Sequence, residues 1–198
     1  MNPQPPFSNV LRQRLCVQRL DIPIAERQAA AWAAAERLAA SAWFAEASRI
    51  AGYWAWKGEL DPMPVLERAL VQGKAVYLPV LTGDALQFAP WQPGVTMRRN
   101  RFQIPEPDVS PDEWLLPSAL DLVLTPLVAF DATGTRLGMG GGFYDRSFAF
   151  LHDPHWRGCR PRLVGFAYEF QQVEKLVRQS WDVPLDAVAT ETALQVFA

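Results

Sequence analysis

The sequence predicts an α/β fold: a single domain with a mostly parallel sheet and helices on both faces. Three observations carry that reading. Helical and strand patterns alternate along the chain, as they do in layered α/β domains. The most apolar segment holds Leu122-Val123-Leu124, a continuous run rather than an alternating one, and central parallel strands look like this because both faces are covered. The third is size: 198 residues with 49% hydrophobic and 20% charged side chains make a globular chain with one sizeable core.

The elements follow in order. Residues 8–20 read as a helix that carries Arg12, Arg14 and Arg19 among apolar positions. A second helix starts at Asp21-Ile22-Pro23-Ile24, with Asp21 placed to cap it and Pro23 suited to its first turn. It continues through an alanine-rich stretch to about residue 47, with Trp32, Leu38, Ala39, Ala42 and Trp43 as its buried stripe. Residues 49–56 predict a strand, on which Trp54 and Trp56 share a face. A short helix over 61–72 has proline in its first turn, and strands follow over 74–80 and 85–91. Residues 100–117, rich in proline and acids, read as an irregular connection. The buried strand within 119–130 loses regular pairing at Pro126. A glycine-rich loop then leads into a helix running to about residue 151. A strand over 162–168, a helix over 170–178 and a short strand over 187–190 complete the chain.

Composition removes several function classes. A formal net charge of −2 gives no polyanion-binding surface, so nucleic acid is not an expected partner. Cys16 and Cys159 are too few for a disulfide scaffold or a zinc knuckle, which fits a reducing compartment. The opening seven residues are polar and proline-rich and do not read as a signal peptide. No apolar stretch approaches the roughly 20 residues of a membrane span. The expectation is therefore a cytoplasmic protein without membrane association. The basic residues are nearly all arginine, the only lysines being Lys57, Lys74 and Lys175. That bias suits phosphate and carboxylate recognition, and genome composition explains it equally well.

The chemistry concentrates in residues 136–146. Gly138, Gly140, Gly141 and Gly142 fall between an apolar strand and a helix, flanked by Arg136 and Arg146. Glycines let backbone N–H groups approach an anion without a Cβ in the way, and a helix start adds donors and a favourable dipole. No Gly-Lys-Ser or Gly-Lys-Thr follows, so this is not a Walker loop; Phe143 at the third glycine position argues against a dinucleotide fingerprint. Asp145 either complements the helix dipole or holds magnesium beside phosphates. His152 and His155 flank a proline that spoils metal-binding helical geometry. Glu59 follows a strand end, where open α/β sheets bind ligands, although most glutamates so placed are simply solvated.

The run from Asp121 to Asp131, followed by Arg136-Leu-Gly-Met-Gly-Gly-Gly-Phe-Tyr-Asp-Arg146, resembles the signature of the 5-formyltetrahydrofolate cyclo-ligases, also called methenyltetrahydrofolate synthetases. Gly58-Glu59-Leu60-Asp61, Gly73-Lys74-Ala-Val-Tyr-Leu-Pro79, Gln172-Val-Glu-Lys-Leu176 and Trp181-Asp-Val-Pro-Leu-Asp186 fit the same family in the same order. The resemblance implies a monomeric α/β enzyme that uses ATP, with Mg2+, to phosphorylate the formyl oxygen of 5-formyltetrahydrofolate. The neighbouring bridge nitrogen then attacks that carbon and phosphate leaves, giving 5,10-methenyltetrahydrofolate, ADP and phosphate. It assigns ATP to Arg12, Arg136, Leu137, Gly138, Met139, Gly140, Gly141, Gly142, Phe143 and Tyr144. It assigns the folate to Trp54, Glu59, Met139, Phe143 and Tyr144, with Glu59 reading the pterin. Tyr144 and Arg136 would serve the reacting centre, and Asp145 and Asp182 would hold the metal. This chain departs from the family pattern in having Ser8 where some members have lysine, Phe143 for the first loop tyrosine, and Met139 and Gly141 where some have arginine and lysine. The glycine spacing weighs against an oxidoreductase, and a pure binding protein has no need of two metal carboxylates.

Overall fold

Three short apolar runs lie side by side at the centre of the molecule and set its architecture. In the computed structural model, which describes residues 6–197 with side chains from Ser8 onward, they are the strands β1 (Arg49–Ala51), β6 (Leu122–Thr125) and β9 (Arg162–Phe166). Most of the opening tract, residues 1–5, lies outside the described residues. In chain order the other elements are helices α1 (Pro6–Asp21), α2 (Ile24–Ala39), α3 (Ala42–Glu46), α4 (Met63–Val71) and α5 (Phe143–Ser147). The remaining strands are β2 (Ala75–Thr82), β3 (Ala85–Pro90), β4 (Met97–Arg99), β5 (Pro105–Pro107), β7 (Ala129–Phe130), β8 (Arg136–Leu137), β10 (Ala187–Ala189) and β11 (Leu194–Val196).

The main sheet has seven strands in the order β11-β10-β9-β6-β1-β2-β3. Its five inner strands are mutually parallel and only the edges, β3 and β11, run antiparallel. The expected fold class is therefore present. β6 is buried at all four positions, because Leu122 and Leu124 meet one core and Val123 meets the other. The first core packs Ile50, Leu78 and Val164 against α2 and α4. The second packs Ala51, Phe88, Leu163 and Val188 against Phe148 beyond α5. β6 stops at Thr125, just before Pro126, as expected.

Several elements differ from the sequence expectation. The strand expected over 49–56 ends at Ala51, so Trp54 and Trp56 lie in the loop beyond it and share no strand face. Asp21 closes α1 instead of capping α2, whose cap is Pro23. The alanine-rich helix breaks at Ala40 and restarts as α3, because the Ser41 hydroxyl accepts the Phe44 N–H and caps a new start. The buried stripe of α2 is Ala31, Ala34, Ala35 and Leu38, while Trp32 is 53% exposed. Small alanines face the sheet because they let the helix sit close, and a search for large apolar residues steps past them. Residues 100–117 hold β5, paired with β4. The helix after the glycine loop is only α5, continued by a 3-10 turn over Ala149–His152. The helix expected over 170–178 reduces to a 3-10 turn at Glu169–Gln171.

Candidate functional site

The chain leaves β1 for β2 on one side of the sheet, whereas β6, β9 and β10 build out on the other. Strand order reverses between β1 and β6, and ligands bind open α/β sheets at the carboxyl ends flanking such a switch. Two segments start there. Residues 52–59 follow β1 and carry Trp54 and Glu59. Residues 126–145 follow β6 and carry Arg136, the glycines, Tyr144 and Asp145.

The first segment ends in a tight turn. Lys57 (φ 49°) and Gly58 (φ 76°) both take the left-handed conformation, and the Glu59 N–H donates to the Trp56 carbonyl at 3.2 Å. Position 58 needs glycine twice over, since a Cβ there would also come within 3.0 Å of the Arg19 carbonyl oxygen. The turn folds Glu59 back so that its Oε2 accepts the Trp56 N–H at 3.1 Å. Burial raises the Glu59 carboxyl, with Arg19 and the Trp56 N–H pulling the other way. Burial likewise raises Asp61. Both acids line a groove of about 720 Å³ together with Arg27, Gln28, Trp32 and Glu67. Trp54 is half-buried against the first core.

The second segment is a hairpin. β7 and β8 pair antiparallel around a turn fastened by Asp131, which accepts the Thr133 hydroxyl and the N–H groups of Thr133, Thr135 and Leu176. Burial opposes ionisation of Asp131, but these bonds prevail and hold it below its usual range. Arg136 on β8 donates to Asp145 Oδ1 at 2.6 Å and to the Val183 carbonyl. Its side chain is 6% exposed, so much of its charge is spent on holding Asp145.

The glycine loop follows. Gly140 (φ 93°) and Gly142 (φ 66°) are left-handed, and Gly141 is packed so closely on the Phe143 ring that a Cβ would sit 2.8 Å from it. Arg12 from α1 reaches across to donate to the Gly138 carbonyl at 2.7 Å, while Arg146 donates to the Gly141 carbonyl at 2.7 Å. Of the three arginines linked to this loop from the sequence, Arg12 and Arg146 reach it, whereas Arg136 is given to Asp145 and Val183. Leu137 packs into the small core beside α1, and Met139 is exposed. Because α5 has five residues, any anion cradle here rests on the loop's own N–H groups and the arginines rather than on a long helix.

Tyr144 stacks on Phe148 at 6.2 Å, and its hydroxyl is buried without a hydrogen-bond partner among the described residues. Burial first and Glu59 second raise it above its usual range, which places it within electrostatic reach of Glu59. Asp145 accepts both the Arg136 guanidinium and the Val183 N–H on the same oxygen, Oδ1. Asp182 accepts the Gln179 N–H on Oδ2, and its carboxyl is raised by burial, with Asp145 among the further causes. The two carboxylates thus feel one another. Among the described residues no group of three or more His, Cys, Asp or Glu is gathered as a metal site. Two carboxylates, Asp145 and Asp182, nevertheless fit magnesium, which takes one or two carboxylates and completes its shell with phosphate oxygens and water.

Two features went unread in the sequence. Arg101 lies over the rings of Phe102 and Phe143 at 5.2 and 5.7 Å, and Phe102 meets Phe143 edge-on at 5.8 Å, so the loop between β4 and β5 leans on the glycine loop. Nothing in local sequence joins residues 102 and 143. Arg19 is 1% exposed. Its signal was available: Leu11, Leu15 and Arg19 recur every four residues, so a charge occupies the buried stripe of α1.

A family model described as the 5-formyltetrahydrofolate cyclo-ligase family matches residues 7–191. The chain is 43% identical over 147 residues to the 5-formyltetrahydrofolate cyclo-ligase of Escherichia coli K12, covering 73% of this chain and 78% of that one. It is also 43% identical over 143 residues to the Haemophilus influenzae enzyme of the same name, covering 71% and 74%. The fold superposes on the NMR structure of Aquifex aeolicus 5,10-methenyltetrahydrofolate synthetase with a TM-score of 0.79 and 29% identity, over 96% of this chain and 92% of that one. Among the described residues no helix is long and apolar enough to cross a membrane.

Proposed function

The chain belongs to the 5-formyltetrahydrofolate cyclo-ligase family and is a ligase, and from that premise we propose that it converts 5-formyltetrahydrofolate to 5,10-methenyltetrahydrofolate, using ATP with magnesium and releasing ADP and phosphate. The observation that carries this reading is convergence at one strand-order reversal. Glu59 arrives from the end of β1, and the glycine loop, Tyr144 and Asp145 arrive from the end of β6.

In this reading the two segments divide the work. The loop N–H groups with Arg12 and Arg146 hold the triphosphate, and Arg136 keeps Asp145 aimed. Magnesium, when bound by Asp145 and Asp182, supplies charge neutralisation for the transferring phosphoryl group. Glu59 accepts the pterin's amino and ring N–H hydrogens. The Tyr144 hydroxyl, buried and unpartnered within the chain, donates toward the reacting formyl oxygen. A formyl amide oxygen leaves poorly until phosphorylated, so the protein's task is to bring the two reactants together and exclude water, with little covalent chemistry of its own.

The test is direct. Purified protein is mixed with 5-formyltetrahydrofolate, ATP and magnesium, and the absorbance of methenyltetrahydrofolate is followed. ADP and phosphate should appear in step with product. Product formed without nucleotide, or AMP as the released nucleotide, refutes the reading.

A further inference from the structure

Arg19 is the largest side chain in the molecule to be almost completely buried, at 1% exposure, and it forms no ion pair within the protein's salt bridges among the described residues. Its guanidinium instead donates to two main-chain carbonyls from different parts of the site. One Nη reaches the Leu127 carbonyl at 3.2 Å, at the start of the segment that becomes the β7–β8 hairpin. The other reaches the Lys57 carbonyl at 3.4 Å, inside the turn that aims Glu59, and also touches Cys16 Sγ at 3.7 Å. Nε is buried with no partner among the described residues. The helix and the turn are fitted to one another, since a Cβ on Gly58 would lie in tight contact, 3.0 Å, with the Arg19 carbonyl oxygen.

We propose that Arg19 is a positioning residue for the folate end of the site: it fixes the Lys57–Glu59 turn from beneath and so keeps the Glu59 carboxylate aimed for the pterin. The assignment rests on the reading of Glu59 given above. Its physical basis is twofold. A buried charge without a carboxylate contact is costly, and such costs concentrate where a site needs them. A fixed positive charge near a buried acid also favours the acid's charged form, which burial alone would suppress, and Arg19 acts on Glu59 in that direction. The other ionisable groups around Glu59 are Tyr53 and Asp61 from its own segment, Arg27 from α2, Glu67 from α4, Tyr144 from α5 and the exposed neighbour Lys57. Of the cations among them, the Arg27 guanidinium is already given to the Leu20 and Ile22 carbonyls, which leaves Arg19 as the buried one that acts on Glu59.

The test measures affinity for 5-formyltetrahydrofolate and, separately, for ATP with magnesium, from pH 5.5 to 8.5, by calorimetry. The proteins are the wild type, Arg19→Lys, Arg19→Met, Glu59→Gln and the double variant Arg19→Lys/Glu59→Gln. Arg19→Lys keeps the charge but not the two-carbonyl fork, and should weaken folate about tenfold while ATP affinity stays within about twofold. Arg19→Met should in addition move the acid limb of folate binding upward by about one pH unit, because Glu59 then protonates earlier. In the Glu59→Gln background, Arg19→Lys should add less than about a twofold loss, since its effect passes through Glu59. Should Arg19→Met fail to fold, the cycle between Arg19→Lys and Glu59→Gln still decides. Wild-type folate affinity in Arg19→Lys overturns the assignment, as does a full Arg19→Lys penalty persisting without the Glu59 carboxylate. A wild-type protein that binds no 5-formyltetrahydrofolate overturns the functional reading, and this assignment with it.

Discussion

Replacing Asp145 with Asn should cost both stability and turnover, and the structure gives the size of the first. Asp145 Oδ1 accepts two donors, Arg136 Nη2 at 2.6 Å and the Val183 N–H at 3.1 Å. Asn keeps an acceptor oxygen for one donor but presents no charge to Arg136, whose side chain is 6% exposed. Stripping one partner from a fully buried pair costs about 3–5 kcal/mol. The Asp145 side chain is 24% exposed, so water screens part of the loss and about 2 kcal/mol is the fitting figure. For a domain near this size, each kcal/mol moves Tm by about 2–4 °C, giving a fall of about 4–8 °C in the ligand-free protein. The catalytic effect is separable from it. With the charge that attracts the hard cation gone, turnover should drop by about 100-fold and the magnesium concentration for half-maximal rate should rise, giving partial rescue at high magnesium. Thermal melts and magnesium titrations of turnover check both halves. A variant with lowered Tm but unchanged magnesium half-saturation and near-normal rate refutes the metal role and leaves Asp145 as a purely structural partner of Arg136. An unchanged Tm refutes the energetic reading of the ion pair.

Glu59→Gln should weaken 5-formyltetrahydrofolate by about 1.5–3 kcal/mol in calorimetry, with ATP affinity nearly intact, because an amide cannot accept two hydrogens from the pterin. The Glu59 carboxyl is raised by burial, so in the window just above its ordinary range the folded protein binds more protons than the unfolded chain. The Glu59 contribution therefore makes the wild type relatively less stable than Glu59→Gln as pH rises through that window, while folate affinity rises over the same window; melts and calorimetry of the pair against pH read the two opposite signs. Tyr144→Phe removes a buried hydroxyl that has no partner among the described residues, so the ligand-free Tm should hold or rise while turnover falls; a lowered Tm with normal turnover contradicts the assignment. Gly134→Ala places a methyl 2.6 Å from the Leu185 carbonyl oxygen at a φ of +73°, and should destabilise by about 2 kcal/mol or more in chemical denaturation, with per-molecule turnover retained well below Tm.

What the sequence disclosed and what it concealed divide along physical lines. Signals that reside in one contiguous segment were legible. The both-sides-buried strand at Leu122–Thr125 is one, and the clustered glycines before Tyr144 are another. Signals that depend on how far an element extends were not. The strand expected through Trp54 stops at Ala51, and the chain then runs to the turn at residues 56–59, a path that no local propensity records. The helix expected over residues 170–178 is missing because its polar groups serve elsewhere. Gln171 donates to the Leu127 and Val128 carbonyls, and the Leu176 N–H goes to Asp131, so the segment braces the β7–β8 hairpin instead of coiling on itself. Partnerships across long sequence separations, such as Phe102 on Phe143 or Arg19 beneath Lys57, leave a mark only as a residue out of place in its own pattern.

The two ends of the site follow opposite strategies, and under the proposed function the chemistry of the two substrates explains why. At the glycine end the protein offers backbone and the guanidinium groups of Arg12 and Arg146, and only Gly140 and Gly142 adopt conformations that a side chain would resist through φ. A triphosphate carries its own strong charge and binds to what is available, so little needs to be fixed in advance. At the Glu59 end the protein instead buries polar groups before any ligand arrives. Four buried side-chain polar atoms lack a partner among the described residues, and three of them, Arg19 Nε, Tyr144 Oη and Tyr168 Oη, belong to groups coupled electrostatically to Glu59 or to Asp61 two residues on. Each such atom costs about 1–3 kcal/mol. That expense is reasonable only for a ligand recognised by directed hydrogen bonds instead of net charge, and a pterin is such a ligand. A double core packed on both faces of a seven-stranded sheet supplies the stability against which those costs are set. Discrimination against other heterocycles should accordingly come from this end: a site whose polar groups are already buried rejects a ligand that leaves them unpaired far more strongly than it rewards one that merely fits.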